Sequence, residues 1–202
     1  MTPAKRLYLG SSNSGKLKEF LAIANVGAAG LTLELLPGFS ELRPFPEDAP
    51  TFAENAVGKA LNAATITDEA VCADDSGLVV ASLGGEPGVR SARYAGEGTT
   101  GAENIARLLE VLRGKTGDER SAYFVCVLAV ARRGRMLAVI TNRVDGKILE
   151  TLRGTGGFGY DPVFYFPPLG KTFAELSGHE KNLHSHRGKA FRRLLDVLPG
   201  ML

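Results

Sequence analysis

The stretch Ala70-Val71-Cys72-Ala73-Asp74-Asp75-Ser76-Gly77 places two adjacent carboxylates directly after an apolar run. The run predicts a buried strand and Ser76-Gly77 predicts a turn, so we expect Asp74 and Asp75 where the strand ends. A strand end is a rigid base from which a carboxylate can bind a hard divalent cation or deprotonate a water molecule. A solvated turn is the alternative interpretation, because Asp, Ser and Gly are common turn residues.

Strand and helix patterns surround this stretch in mixed order, which predicts a mixed α/β fold, with an α+β fold as the alternative. We expect one domain over residues 1–202, with a long mixed central β-sheet and helices that form two lobes around a cleft. Thr51 and Thr100 each stand three residues before a glutamate, a pattern typical of helix starts. The expected strands span residues 5–10, 31–36, 71–73, 78–83, 121–131, 135–143 and 144–152. The expected helices end near residues 24, 65, 112 and 198, and the last begins near residue 181 or 185.

Composition restricts the class of protein. The chain has 202 residues, 44% of them hydrophobic and 23% charged, which is ordinary for a soluble globular protein. A net charge of +2 gives no reason to expect a nucleic acid or an anionic membrane as partner. Cys72 and Cys126 lie in apolar runs and are interpreted as buried thiols in a reducing compartment. The N-terminus lacks a signal-peptide pattern and no apolar run could span a bilayer, so we expect a cytoplasmic protein.

Ser11-Ser12-Asn13-Ser14-Gly15-Lys16 lies between the first strand and the first helix. A helix N-terminus offers N–H donors and a positive dipole end, and Lys16 adds a full charge, so the segment suits a polyphosphate. It is not a P-loop, because the required glycine spacing is absent. The alternative is an ordinary loop with an Asn or Ser helix cap.

Gly156-Gly157-Phe158-Gly159-Tyr160-Asp161-Pro162 frames an aromatic ring with glycines. We expect both faces of the Phe158 ring to be accessible for stacking on a base, with Asp161 as a nearby acceptor. A tight aromatic turn that packs on the core is the alternative.

All three histidines fall within residues 177–189, among lysines and arginines. The basic residues favour a site for an anion or a carbonyl group. A zinc site is less well supported, because no cysteine or typical ligand spacing is present. A solvated basic helix end is the third interpretation. Two further candidates are weak by themselves: Glu47 is a lone acid in a Pro-rich loop, and Lys59 lies four residues after Asn55 on the second expected helix.

Taken together, six ordered motifs between about residues 7 and 198 resemble those of the inosine/xanthosine triphosphate pyrophosphatases, which remove non-canonical purine nucleotides. The motifs are Ser-x-Asn-x-x-Lys at 11–16, Thr-Phe-Ala-Glu-Asn-Ala at 51–56 with Lys59, Ala-Asp-Asp-Ser-Gly-Leu at 73–78, Pro-Gly-Val-Arg-Ser-Ala-Arg-Tyr at 87–94, Gly-Gly-Phe-Gly-Tyr-Asp-Pro at 156–162 and Ser-His-Arg-Gly at 185–188. The resemblance implies a Mg²⁺-dependent hydrolase, usually a homodimer, that converts ITP, dITP or XTP to the monophosphate and pyrophosphate.

The resemblance also implies residue roles. Asp75 matches the catalytic acid, Glu47 and Asp75 match the metal ligands, and Lys16, Lys59 and Asp74 match further active-site positions. The matched substrate contacts are Ser11, Ser12, Asn13, Ser14, Gly15, Lys16, Ser76, Phe158, Gly159, Tyr160, Asp161, Lys181, His186 and Arg187.

Two other functions stay open. A related pyrophosphatase of the septum-inhibitor type would act on modified pyrimidine nucleotides, but it would lack the motif at 156–162. A catalytically silent nucleotide-binding protein would not need the acids at positions 47, 74 and 75. Residue chemistry alone leaves both Asp74 and Asp75 as candidates for orienting and deprotonating the attacking water.

Overall fold

The computed structural model describes residues 5–27 and 31–201, and the side chains of residues 25–27 and 199 are outside that description. Within these residues the strands form one mixed sheet, as predicted. The strands are β1 (Lys5–Leu9), β2 (Leu31–Leu35), β3 (Ala70–Val80), β4 (Ser121–Arg132), β5 (Arg135–Ile148), β6 (Phe164–Phe166) and β7 (Lys171–Thr172). The helices are α1 (Ser14–Gly27), α2 (Phe52–Ala63), α3 (Gly101–Val111), α4 (Gly178–His184) and α5 (His186–Val197).

The sheet has the order β2-β1-β3-β4-β5-β6-β7. Strand β1 is parallel to both β2 and β3, with Leu9 opposite Cys72, whereas β6 is antiparallel to β5 and β7. Strand β1 ends opposite Cys72, in the first half of β3, and the Gly10 N–H donates to the Cys72 carbonyl at 2.9 Å, so the 11–16 segment leaves β1 close to Asp74. None of the described helices is both long and apolar enough for a membrane crossing.

The chain divides into two compact units. Unit 1 consists of Met1–Asp75, Cys126–Asn142 and Arg187–Leu202, and unit 2 consists of Ser76–Val125 and Arg143–His186. The first boundary falls inside β3. The expectation of one domain over residues 1–202 stays a prediction, as does the cleft, and residues 1–4, 28–30 and 202 of that range are outside the described residues.

Unit 1 buries two apolar clusters. One contains Leu9, Phe20 and Cys72, and the other contains Val71 and Ala73 together with residues of α2. Alternate residues of a strand point to opposite faces, so the two clusters lie on the two faces of β3. The α2 side is built from alanines, namely Ala56, Ala60 and Ala63. Small side chains let this helix approach the strand closely, which brings the polar residues of α2 to the strand as well.

Unit 2 has an aromatic core. The Phe124 ring lies 4.5 Å from that of Phe164, and the Phe164 ring lies 4.9 Å from that of Phe173, measured between centroids. Leu108 of α3 packs in the same cluster. Tilted aromatic pairs at these centroid distances are energetically favourable, so the three rings stabilise the core of unit 2.

The predicted turn at Ser76-Gly77 is wrong, because β3 continues without interruption to Val80. The segments on both sides of the acids are buried, and Ser and Gly tolerate extended backbone when both flanks are held in a sheet. The chain turns instead at Gly84 and Gly85, which have φ of 66° and 97°. Asp74 and Asp75 therefore lie inside a strand and not at its end.

One other boundary differs from expectation, because the strand expected at residues 144–152 is the end of β5, which runs on to Ile148. The last helix, α5, begins at His186, which confirms the later of its two expected starts. The extended backbone of Ser185 separates it from the short helix α4. The expected helix starts and the hairpin are confirmed: the Thr51 and Thr100 hydroxyls accept from backbone N–H groups, and Arg133 and Gly134, both with positive φ, connect β4 to β5.

Candidate active site

Asp74 and Asp75 are both 4% exposed and point to opposite faces of β3. Asp74 follows Cys72 on the face of α1, and Asp75 follows Ala73 on the face of α2. Each carboxylate therefore has its own set of partners, which are described below as the Asp74 group and the Asp75 group.

The Asp75 group is joined by one lysine. The Lys59 ammonium lies 2.9 Å from Asp75 Oδ1 and 2.8 Å from Glu47 Oε2, and it also donates to the Asp74 carbonyl at 3.2 Å. Lys59 thus brings together the two acids that the sequence placed far apart in the chain. Two carboxylates on one cation form an oxygen-rich, negatively charged set, which fits a hard divalent cation as well.

Asn55 completes the Asp75 group, although it was not among the site residues predicted from the sequence. Its side chain is fully buried, and its Nδ2 donates to Asp75 Oδ2 at 3.2 Å. Asn55 and Lys59 are four residues apart on α2 and so lie on one helix face. That spacing was visible in the sequence, but it did not reveal what the amide would contact.

The Asp74 group contains Lys16 and Arg187. The Lys16 ammonium lies 2.8 Å from Asp74 Oδ2, and the Arg187 guanidinium at the start of α5 also acts on this carboxylate by its charge. Arg187 Nη1 lies 3.2 Å from Glu19 Oε2 of α1. The Lys16 N–H donates to Asn13 Oδ1 at 3.1 Å, so the amide of Asn13 bonds at the start of α1, where the sequence predicted a helix-terminal loop. Ser12, Asn13 and Ser14 are exposed, whereas Ser11 and Gly15 are half-buried.

The two carboxylates have opposite pKa shifts. Burial raises the pKa of Asp74, but the charges of Lys16 and Arg187 outweigh burial and leave it below its ordinary value. Burial also raises the pKa of Asp75, and there Lys59 offsets only part of the effect, so the pKa stays above its ordinary value. Burial lowers the pKa of Lys59, yet Asp75 and Glu47 more than compensate and keep it protonated. Asp75 is therefore the carboxylate better suited to accept a proton.

A second polar group lies in unit 2, around Phe158. Asp161 Oδ2 accepts from the Phe158 N–H at 2.7 Å and forms an ion pair with Lys181, which is buried. The Lys181 ammonium lies over the Phe158 ring, 4.6 Å from its centroid. The expectation that both faces of the Phe158 ring are accessible is therefore wrong, because the Lys181 ammonium covers one face. A cation–π interaction with the ring stabilises the ammonium there.

The residues next to Phe158 have structural roles. Tyr160 is buried, and its hydroxyl donates to the Ser91 carbonyl at 2.9 Å. Gly157 has φ of 70°, and a Cβ there would lie 2.1 Å from Asp161 Oδ2, so only glycine permits the bond between Asp161 and the Phe158 N–H. Gly159, with φ of 59°, is exposed.

Ser76 is half-buried as the first residue of unit 2, and His186 is buried. The His186 ring stacks on Phe124 with the centroids 4.7 Å apart and the ring planes at an angle of 11°.

Among residues 5–27 and 31–201, no three His, Cys, Asp or Glu side chains are grouped so that they could hold a metal ion. The Asp75 group instead offers a pair of carboxylates.

The model of the Ham1 family matches residues 7–197 of the sequence. The chain belongs to the Ham1 family. The resemblance to the inosine/xanthosine triphosphate pyrophosphatases is confirmed by relatives that are named dITP/XTP pyrophosphatase. A dITP/XTP pyrophosphatase of Geobacillus kaustophilus is 50% identical over 190 residues, which cover 94% of this chain and 92% of the relative. A dITP/XTP pyrophosphatase of Thermus thermophilus is 46% identical over 197 residues, which cover 98% and 93%.

Solved Ham1 structures confirm the fold class. The structure of a HAM1 protein from Coxiella burnetii has a TM-score of 0.86 at 39% identity, covering 97% of this Ham1-family chain and 99% of that chain. The structure of the Staphylococcus aureus Ham1 protein has a TM-score of 0.84 at 39% identity, with the same coverage.

Proposed function

We propose that this protein hydrolyses non-canonical purine nucleoside triphosphates, namely ITP, dITP and XTP, to the monophosphate and pyrophosphate. The observation that carries the proposal is the pair of buried carboxylates in β3, each neutralised by a lysine, in a family whose relatives are named dITP/XTP pyrophosphatase. A protein that only bound nucleotides would not need two buried acids, since burying a carboxylate is costly.

Asp75 is assigned the role of general base. It takes a proton from a water molecule, the resulting hydroxide attacks the α-phosphorus, and the bond from this phosphorus to the bridging oxygen breaks as pyrophosphate leaves. Its burial and raised pKa suit a group that must hold this proton. Lys59 keeps the carboxylate oriented through Oδ1.

Lys16 is assigned to the triphosphate. The lysine lies in the first turn of α1, where backbone N–H groups and the helix dipole also favour phosphate oxygens. Asp74, with its lowered pKa, stays ionised and fixes the position of the ammonium. In this arrangement Asp74 is a positioning residue for Lys16, and proton transfer is left to Asp75. The remaining residues of the 11–16 segment would supply further polar contacts.

Glu47 and Asp75 are assigned as ligands of Mg²⁺. Both are carboxylates held close together by Lys59, and no cysteine or histidine belongs to the group as described. A bound Mg²⁺ would neutralise charge on the phosphates and on the leaving pyrophosphate. Lys59 would have to share or give up one of its two carboxylate contacts when the cation binds.

Phe158 and Lys181 are assigned to the purine base. The base is proposed to lie beside the Lys181 ammonium, which is a donor suited to the 6-oxo oxygen of hypoxanthine or xanthine, and to contact the Phe158 ring as an apolar surface. Asp161 holds Lys181 in place. Ser76, His186 and Arg187 are proposed as further substrate contacts. A homodimer in the cytoplasm is proposed from the family resemblance and the sequence alone.

The decisive experiment follows the products and the site of attack. Purified protein is incubated with ITP in H₂¹⁸O, and ³¹P NMR and mass spectrometry identify the products. We expect pyrophosphate without free phosphate, and one ¹⁸O atom in the inosine monophosphate, because water attacks the α-phosphorus. Stepwise release of phosphate, or label in pyrophosphate, would contradict the proposal. Binding of ITP without turnover would favour a silent nucleotide-binding protein, and turnover of modified pyrimidine nucleotides alone would favour the septum-inhibitor type.

A further inference from the structure

We infer that Asn55 is a positioning residue that joins the loop bearing Glu47 to the carboxylate of Asp75. The inference rests on the proposed function, because it assigns these two acids to one site. Its basis is a set of three hydrogen bonds made by one fully buried amide. Asn55 Oδ1 accepts from the Ala49 N–H at 3.2 Å, and Asn55 Nδ2 donates to the Ala49 carbonyl at 3.4 Å and to Asp75 Oδ2 at 3.2 Å.

The chemistry of these contacts requires an amide. The Ala49 N–H needs an acceptor, whereas the Ala49 carbonyl and the Asp75 carboxylate both need a donor. Only one orientation of the Asn55 amide meets all three, since the flipped amide would place an oxygen against two other oxygens. An aspartate could serve the N–H but neither acceptor, and an alanine could serve none of the three.

The position of Asn55 gives these contacts their effect. Its backbone makes an ordinary helical bond, from its N–H to the Thr51 carbonyl, so the side chain is available for the loop. Ala49 is two residues after Glu47 and two before the helix cap at Thr51. The amide therefore closes the loop onto α2 immediately beside Glu47. Both contacts to Ala49 use backbone atoms, so they do not depend on which side chain stands at position 49.

Asn55 and Lys59 divide the oxygens of Asp75 between them. Lys59 bonds to Oδ1 and Asn55 bonds to Oδ2, which fixes the rotation of the carboxylate about its last bond. Lys59 is a flexible side chain that also pairs with the half-exposed Glu47. The short, buried Asn55 is the more rigid of the two links. Loss of such a link to a metal-binding or catalytic carboxylate typically reduces affinity or activity by about 10- to 100-fold.

The test compares Asn55→Ala with Asn55→Asp and with a matched control, Asn62→Ala. Asn62 lies on the same helix and donates its Nδ2 to the Arg43 carbonyl at 3.0 Å, in the same Pro-rich segment. It makes no bond to Asp75 among those described. The control therefore removes an amide-to-loop bond of the same kind without touching the carboxylate.

Three measurements separate positioning from general damage. Hydrogen exchange followed by NMR reports the Ala49 N–H, electron paramagnetic resonance reports Mn²⁺ binding without nucleotide, and steady-state kinetics with ITP report kcat and KM. For Asn55→Ala we expect faster exchange at Ala49, with Mn²⁺ affinity and kcat each reduced by about 10- to 100-fold. KM should change by less than about 3-fold, since the 11–16 segment is untouched.

Asn55→Asp distinguishes the contact with the Ala49 N–H from the contact with the Asp75 carboxylate. It also tests the inference if Asn55→Ala does not fold. The aspartate can still accept from the Ala49 N–H, so exchange there should stay slow, while kcat falls as in Asn55→Ala because the donor to Asp75 is gone. Asn62→Ala should resemble the wild type in Mn²⁺ affinity and kcat.

Wild-type kcat in either Asn55 variant, or an equal loss in Asn62→Ala, would overturn the inference. If the wild type does not hydrolyse ITP, the proposed function fails by itself. The exchange of the Ala49 N–H and the Mn²⁺ affinity then still decide whether Asn55 joins the loop to Asp75.

Discussion

Lys16→Met is expected to destabilise the protein by leaving Asp74 buried without its nearest cation. The two charges are 2.8 Å apart, and the side chains are only 13% and 2% exposed. At an effective dielectric constant of about 20, the attraction at this distance is roughly 6 kcal/mol before desolvation is considered. Removing one partner of a buried pair typically costs about 3–5 kcal/mol, because the other charge stays buried. Arg187 also acts on Asp74 and remains in the variant, so we expect the lower end, about 3 kcal/mol at pH 7.

The pH dependence tests the cause. In the wild type the pKa of Asp74 is below its ordinary value, so its contribution to stability is present above the pKa of the unfolded state and is lost as the pH falls through the folded pKa. Without Lys16, burial dominates, and the pKa of Asp74 should rise above its ordinary value. Protonation then relieves the buried charge, so the difference between variant and wild type should shrink as the pH falls below about 5.

The assay is urea denaturation followed by circular dichroism at pH 7 and at pH 4–5. Four proteins are needed: the wild type, Lys16→Met, Asp74→Asn with Lys16→Met, and the control Lys18→Met, which alters an exposed lysine of the same helix. The double variant should recover most of the lost stability, because it removes the stranded charge, and the control should lie within about 0.5 kcal/mol of the wild type. A loss below about 1 kcal/mol in Lys16→Met, or no recovery in the double variant, would refute the reasoning.

Three further outcomes follow from the same geometry. Asp75→Asn should keep the fold and reduce ITP turnover by at least about 10³-fold, since the base is lost; a variant that retained a tenth of wild-type kcat would remove Asp75 from this role. Excess EDTA should abolish turnover and Mg²⁺ should restore it better than Ca²⁺, whereas restoration by Zn²⁺ alone would contradict an oxygen-ligand site. ITP and XTP should be hydrolysed with kcat/KM at least about 100-fold above ATP and GTP; Lys181→Met should narrow the ratio of ITP to ATP, because a donor facing the 6-amino group of adenine leaves both groups unpaired, whereas guanine shares the 6-oxo oxygen and must be excluded through its 2-amino group. Similar kcat/KM for ATP and ITP in the wild type would defeat this account of base choice, although pyrophosphate release could stand.

The sequence predicted elements that depend on local chemistry. Thr51 and Thr100 cap their helices as expected, and Arg133 and Gly134 make the expected hairpin, because caps and tight turns are decided by neighbouring residues. The prediction of a turn at Ser76-Gly77 was wrong for the opposite reason. The residues on both sides of Ser76-Gly77 are buried in β3, and this burial depends on the whole sheet and overrides the local preference for a turn.

The same distinction applies to the candidate site. Asp74, Asp75 and Lys16 could be selected by residue type and by their place in the chain. The side chains that contact these residues could not be selected in this way. Lys59 contacts Glu47, and Asn55 contacts Ala49, only because the loop that carries Glu47 and Ala49 folds back onto α2. Nor could the sequence assign different pKa shifts to two adjacent aspartates, since those shifts depend on which cations each face of the strand brings close.

The opposite orientation of Asp74 and Asp75 also limits how this segment can change in evolution. Substitution at a neighbouring position leaves both acids on their own faces. Insertion or deletion of one residue in β3 before the acids would move every following side chain to the opposite face of the sheet. Asp74 would then face α2, which carries Lys59, and Asp75 would face α1, which carries Lys16. One insertion together with one deletion would return both carboxylates to their own faces. The number of residues in β3 before the acids therefore cannot change by one, whichever apolar residues occupy these positions.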